Sequence, residues 1–237
     1  MNRDYNLRRL ERYLSVAWSS GATPVVVLTK VDLSEDLDIR LVEVNKVALG
    51  VKIILCSNAN PEGFNEITQA ILPGQTVAFI GASGVGKSTI INHLQDSNKL
   101  KTKEIGKDGK GRHTTTHKQL YLLPNAGMVI DTPGMRELGI ESAEFSNTFG
   151  DIEELIIHCK YSNCTHTSEL GCAIIKAIQD STLDKSRFMN YQKLQAEAIY
   201  SELNSRQIDN QKISKMFGSK SLMKKKMDEA KDKNNRR

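Results

Sequence analysis

Apolar positions along this chain change period several times, and the changes mark out alternating helices and strands. Leu7, Leu10, Leu14 and Trp18 recur at helical spacing, with Arg8, Arg9, Glu11 and Arg12 on the other faces. That pattern predicts an amphipathic helix over residues 6–19, closed by Gly21 and Pro24. Residues 23–28 are then a short, apolar, β-branched run of the kind that forms a buried parallel strand. Residues 35–50 read as a helix, 51–56 as a strand, 64–72 as a helix, 76–80 as a strand and 89–94 as a helix. Residues 100–116 are rich in Gly and Lys without an apolar period, and read as a mobile loop. Residues 119–123 and 127–130 read as a hairpin ending at Asp131. Alternating strands and helices predict an α/β fold with a mainly parallel sheet. Residues 145–158, 173–178 and 185–203 then read as helices with no strand between them. After Ser205 apolar residues are sparse, as in a disordered segment or a frayed basic helix.

Composition supports this division. Only 39% of the 237 residues are hydrophobic, low for one compact domain throughout. The expected organisation is an α/β domain over 1–144, a small helical subdomain over 145–204 and a polar tail over 205–237. Residues 211–237 hold ten Lys or Arg against three Asp or Glu, a net of +7 out of +5 for the whole chain, so the rest is slightly acidic. A basic tail on a near-neutral body favours nucleic acid over an anionic membrane. No apolar stretch approaches the ~20 residues needed to span a bilayer, and the N-terminus has no apolar signal core, so the expected location is cytoplasmic.

Residues Gly81-Ala82-Ser83-Gly84-Val85-Gly86-Lys87-Ser88 match the phosphate-loop pattern G-x-x-x-x-G-K-S, with a strand before it and Thr89 opening the helix after it. Its glycines let backbone N–H groups turn toward phosphate oxygens. Lys87 would neutralise β/γ-phosphate charge, and the Ser88 hydroxyl would ligate Mg²⁺. Asp131 opens Asp-Thr-Pro-Gly; its carboxylate can hold Mg²⁺ through water, and the Gly134 N–H can meet a γ-phosphate. Between them, Thr116, with Thr115 close behind, is the candidate to join the Mg²⁺ shell when a γ-phosphate is present.

Thr29-Lys30-Val31-Asp32 sits at a strand end, where α/β folds bind ligands. The Asp32 carboxylate can accept from N1–H and the exocyclic amine of guanine, an arrangement adenine lacks, so an ATPase is disfavoured. The Lys30 stem can lie along the base. Thr29 stands where Asn is usual. Ser57 and Asn58, after the next strand, are available near the same base. The base-reading motif precedes the phosphate loop, the reverse of the usual order, which predicts a circularly permuted G domain. Permutation is tolerated because domain termini lie at the surface.

Cys159-x4-Cys164-x-His166-x5-Cys172 supplies three thiolates and one imidazole, a complete tetrahedral shell for one structural Zn²⁺. His158 is a rival ligand from the neighbouring helix. Cys56 stands apart and reads as strand packing.

Together these motifs resemble the ribosome small-subunit-dependent GTPase A family (RsgA, also YjeQ, YloQ or EngC). The resemblance rests on Asn6-Leu-Arg-Arg-Leu-Glu-Arg-Tyr-Leu, the TKVD and GASGVGKST segments, Gly111-Arg-His-Thr-Thr-Thr, Asp131-Thr-Pro-Gly-Met-Arg-Glu-Leu-Gly and the Cys/Cys/His/Cys cluster, over roughly residues 5–203. It implies a monomeric GTPase that acts late in maturation of the 30S subunit, contacts 16S rRNA and is stimulated by the ribosome. Met135 stands where other GTPases place a water-orienting Gln, so slow unaided turnover is expected, and His113 becomes the candidate catalytic group. Two other readings stand beside it: a GTP-binding fragment without stimulated turnover, and an rRNA-binding zinc module with a vestigial phosphate loop. The family also carries an OB-fold domain and an apolar strand ahead of the Asn-Leu-Arg-Arg helix. Neither precedes Asn6 here, so the resemblance leads us to expect a truncated or split form with sheet neighbours left unpaired.

Overall fold

A computed structural model describes residues 5–59, 61–95, 119–131 and 145–202, with isolated positions from 214 to 225 beyond them. Helix α1 (Leu7–Ser19) starts where Asn6, in an extended conformation, accepts the Arg9 N–H on its side chain at 3.1 Å. That bond satisfies one of the donors a helix start leaves open. Strand β1 (Val25–Thr29), helix α2 (Leu37–Val47), strand β2 (Lys52–Cys56) and helix α3 (Glu62–Ala70) follow. Strand β3 (Thr76–Ala78) leads into the phosphate loop and helix α4 (Lys87–Leu94). Strands β4 (Gln119–Leu122) and β5 (Met128–Asp131) form the expected hairpin, and helices α5 (Ser146–Ile157), α6 (Ala173–Gln179) and α7 (Lys185–Glu202) complete the described chain.

The described strands make two sheets. β1 pairs parallel with β2, with Val25 opposite Lys52 and Thr29 opposite Cys56. In the second sheet β5 lies between β3, parallel to it, and β4, antiparallel to it. Among the described residues nothing bonds β1 to β3. A cavity of about 190 Å³ lies between β1 and the segment that follows β3, lined by Val26–Thr29 on one side, by Ile80–Ala82, Gly84 and Val85 on the other and by Leu10 and Tyr13 of α1. Thr76 and Ala78 of β3 are exposed, unusual for a parallel strand, which is ordinarily covered on both faces.

Side chains hold the sheets together where backbone bonds do not. One core cluster takes Ile54 from β2 and Val129 from β5 and fills the space between with Phe64 and Ile67 of α3 and Ile90 and Ile91 of α4. Phe64 stacks on His93 with ring centroids 3.8 Å apart, tying α3 to α4. A second cluster packs α1 and α2 on β1 through Leu14, Val26, Leu28 and Val44. The third belongs to α5, α6 and α7, around Phe149, Ile152, Ile174 and Leu194.

Those last helices attach to α1 through apolar packing at Val16 and through a buried charge network. The pattern along α1 put Glu11 on a polar face, yet it is fully buried. The reason lies 176 residues away, where Arg187 of α7 donates to Glu11 at 2.6 Å; Arg8 and Asn190 also donate to it at 2.6 Å. Arg187, itself buried, reaches both oxygens of Asp151 (3.0 and 2.8 Å) and the Thr148 carbonyl (2.8 Å). Burial pushes the Glu11 carboxyl above its ordinary value, against the pull of Arg8 and Arg187. At the rim, Arg12 makes a bidentate pair with Glu197.

Arg187→Ala, which strands a buried carboxylate, should lower stability in urea unfolding by about 3 kcal/mol. Arg12→Ala, at the half-exposed pair, should cost less than about 1 kcal/mol. In hydrogen exchange, slot-facing amides of β1 and β3 should exchange faster than the amides of β5, which is paired on both sides.

Candidate nucleotide and metal sites

Two pairs of adjacent parallel strands aim their carboxyl ends at one place. Thr29 and Cys56 are register partners, so the TKVD segment and Ser57-Asn58 emerge side by side. Ala78 and Ile130 are likewise paired, so the phosphate loop emerges beside Asp131. The two sets then meet across the slot. The Thr29 hydroxyl donates to the Val85 carbonyl at 2.7 Å, and the Lys30 ammonium to the Gly84 carbonyl at 2.9 Å. Lys30 itself sits in the left-handed region (φ 56), which turns the chain into a 3₁₀ turn over Val31–Leu33 and presents Asp32 to solvent. Ser57 is buried and Asn58 exposed.

In the phosphate loop, Gly84 and Gly86 have φ of +81 and +103, which favour glycine. Gly86 caps α4, whose first residues are Lys87, Ser88 and Thr89. The Lys87 ammonium donates to the Gly81 and Ala82 carbonyls, both at 2.8 Å. It therefore folds back over the loop it belongs to, and a bound phosphate would compete with those carbonyls for it.

Cys159, Cys164, His166 and Cys172 form one cluster, with all four ligand atoms within 4.8 Å of one another. His166 Nδ1 lies 3.6 Å from Cys159 Sγ and 3.4 Å from Cys172 Sγ, and the two sulfurs are 3.9 Å apart. Zn–S and Zn–N bonds of about 2.3 and 2.0 Å at tetrahedral angles give edges of roughly 3.5–3.8 Å, so the donor set fits that ion. His158, at the end of α5, is not among the four. The cluster is held on three sides. Cys159 follows α5, Cys172 caps α6 by accepting the Ile175 N–H, and the His166 ring meets Phe188 of α7 edge-on at 5.8 Å. Burial raises the Cys159 thiol, but the Ala173 and Ile174 N–H groups outweigh it and leave the thiol below its ordinary value.

Of the other residues singled out by sequence, His113, Thr115, Thr116 and Gly134 lie outside the described residues, as does most of the basic tail. Asp131 ends β5, and its backbone pairs with Gln119. The sequence reading passed over Glu169, whose carboxylate organises the loop between Cys164 and Cys172. Hydrogen bonds from Thr165 and the Thr167 N–H hold it well below the usual carboxylate range. The signal was the Thr165-x-Thr167-x-Glu169 spacing, which resembles a local side-chain-to-backbone cap.

Comparison with known proteins matches the sequence profile of RsgA GTPase to residues 1–141. The chain is 52% identical over 225 residues to "Small ribosomal subunit biogenesis GTPase RsgA 2" of Lactiplantibacillus plantarum, covering 94% of this chain and 64% of that protein. It is 47% identical over 203 residues to "Small ribosomal subunit biogenesis GTPase RsgA 1" of Listeria innocua, covering 84% and 59%. The chain thus spans about 60% of the length of these relatives. Among solved structures, YjeQ from Thermotoga maritima superposes with a TM-score of 0.57 at 28% identity, over 82% of this chain and 66% of that one. YloQ, described as a circularly permuted GTPase, gives the same TM-score at 26% identity, over 86% and 67%. Shared motifs, their permuted order and these likenesses agree: the chain belongs to the RsgA GTPase family.

Proposed function

We propose that this chain hydrolyses GTP as part of a factor that matures the small ribosomal subunit. The observation that carries the reading is the contact of the TKVD segment with the phosphate loop, Thr29 to Val85 and Lys30 to Gly84. It brings a guanine reader and a phosphate cradle together although they belong to different sheets. The ribosomal partner comes from the names of the relatives, which are small ribosomal subunit biogenesis GTPases.

In this reading Asp32 accepts from the guanine edge, with Lys30, Thr29, Ser57 and Asn58 around the base. The N–H groups of residues 81–89 cradle the phosphates. Lys87 leaves the Gly81 and Ala82 carbonyls for β/γ-phosphate oxygens. Ser88, Asp131 and Thr116 would hold Mg²⁺, which offsets phosphate charge, and Gly134 meets the γ-phosphate. Water attacks the γ-phosphorus, the bond to the β–γ bridging oxygen breaks, and GDP and phosphate leave. His113 orients or deprotonates that water. Cys159, Cys164, His166 and Cys172 would hold one structural Zn²⁺ that pins the loop between α5 and α6. The basic tail and the metal-bearing helices, taken as units of 205–237 and 145–204 beside the G domain of 1–144, are the rRNA-facing parts. GTP, the 30S subunit and 16S rRNA are the partners, and the chain works as a cytoplasmic monomer; no helix among the described residues is long and apolar enough to cross a membrane.

The open slot between β1 and β3 favours one second reading, a unit that binds GTP without ribosome-stimulated turnover. GTP hydrolysis by the chain with and without 30S subunits separates the two. Stimulation that Lys87→Ala abolishes, with RNA affinity retained, is the expected result. Nucleotide binding with no stimulation would move the assignment to the second reading. Hydrolysis indifferent to Lys87→Ala would overturn both.

A further inference from the structure

Three of the four cluster ligands lie in the nine-residue stretch from Cys164 to Cys172, which contains neither helix nor strand. Such a loop needs something to fix it before a metal can find its ligands in place. One side chain does much of this. Glu169 Oε1 accepts the Thr165 N–H at 2.8 Å and also the Thr165 hydroxyl. Glu169 Oε2 accepts the Thr167 N–H at 2.9 Å and the Ser168 N–H at 3.1 Å. Thr165 and Thr167 flank His166, whose φ of +58 is a conformation that L side chains rarely adopt. The carboxylate therefore clamps the backbone on both sides of the one strained ligand. Its own carbonyl accepts the Cys172 N–H at 3.3 Å, extending the hold to the last ligand.

We propose that Glu169 is the positioning residue of the metal site, preorganising His166 and Cys164 for a tetrahedral divalent cation by offering four acceptor positions to four loop donors. The inference rests on the reading of the cluster as a metal site but not on the reading of the chain as a GTPase. Charge cannot be the reason for an acid at this position. Three thiolates and an imidazole around a divalent ion already carry net −1, and a nearby carboxylate adds repulsion. The match is one of hydrogen bonding. An ionised carboxylate accepts on both oxygens and donates nothing. A glutamine amide would turn an NH₂ group toward two of the loop donors, so Glu169→Gln should fail almost as badly as Glu169→Ala. Losing an outer contact that positions a metal ligand typically weakens metal binding about 10- to 100-fold.

The test is zinc affinity of the full chain, measured by competition with a chromophoric chelator, for wild type, Glu169→Ala, Glu169→Gln and Thr165→Val. Expected is a loss of about 10- to 100-fold for both Glu169 variants and a smaller loss for Thr165→Val, which removes one of four donors. Two further readouts separate positioning from bulk stability. Thermal unfolding of the metal-free variants should match that of metal-free wild type. The visible spectrum of the Co²⁺-loaded protein should shift away from the three-sulfur, one-nitrogen tetrahedral pattern in the Glu169 variants. Unchanged zinc affinity in Glu169→Gln would overturn the four-acceptor account. Loss of stability in the metal-free variants with an unaltered cobalt spectrum would reduce Glu169 to a structural residue and overturn the proposal. Failure of wild type to bind zinc or cobalt tightly would instead overturn the metal reading beneath it.

Discussion

The proposed nucleotide site depends on two loops meeting across an open edge. The TKVD segment hangs from the β1–β2 sheet and the phosphate loop from the β3–β5–β4 sheet, and no described backbone bond joins the sheets. In a continuous parallel sheet the ladder would fix the separation of these loops. Here two side-chain donors, Thr29 Oγ1 and Lys30 Nζ, reach carbonyls of the other loop, and α3 and α4 supply a shared apolar core beneath. Hydrophobic packing fixes distance but is weakly directional, whereas hydrogen bonds fix orientation. Thr29 has a specific part in this. Its short hydroxyl reaches the Val85 carbonyl directly, so the residue that replaces the usual Asn also acts as a strut between loops.

The helical region is joined by a different kind of force. Glu11, Arg187, Asp151, Arg8 and Asn190 form a connected polar network between α1, α5 and α7 in which Glu11 and Arg187 are buried. Buried ion pairs contribute little net stability over apolar packing, but they are intolerant of misalignment, because any other docking strands a charge. The network therefore specifies how the helices around the Cys/His cluster sit against α1. The same helix lines the slot through Leu10 and Tyr13, so α1 touches both halves of the molecule.

Sequence made the local chemistry legible and left the long-range contacts hidden. The phosphate loop, the TKVD turn and the Cys/His cluster are short, because the chemistry each performs demands particular residue types at fixed spacing. Helix α1 ends at Ser19 as the pattern implied and starts one residue later than expected, with Asn6 as its cap, and the β4–β5 hairpin paired as expected. Helices α2 and α3 differ from the expected spans by two or three residues at their ends, where propensity is weakest. Glu11 was misplaced on a polar face because its partners lie far along the chain, and no local pattern carries that information. Glu169 was overlooked because its value lies in the direction of its oxygens and not in its type. The division of the described strands into two sheets was not legible, since nothing in the periodicity of β1 or β3 tells an edge from a centre.

The most direct test of the account is the nucleotide selectivity of the chain, measured by calorimetry with GDP and ADP in the presence of Mg²⁺, for wild type and Thr29→Val. If the two loops form one site across the slot, wild type binds GDP well in preference to ADP, and Thr29→Val, which removes the strut while keeping the shape, weakens GDP binding. Equal affinity for GDP and ADP, or GDP binding indifferent to Thr29→Val, would contradict it.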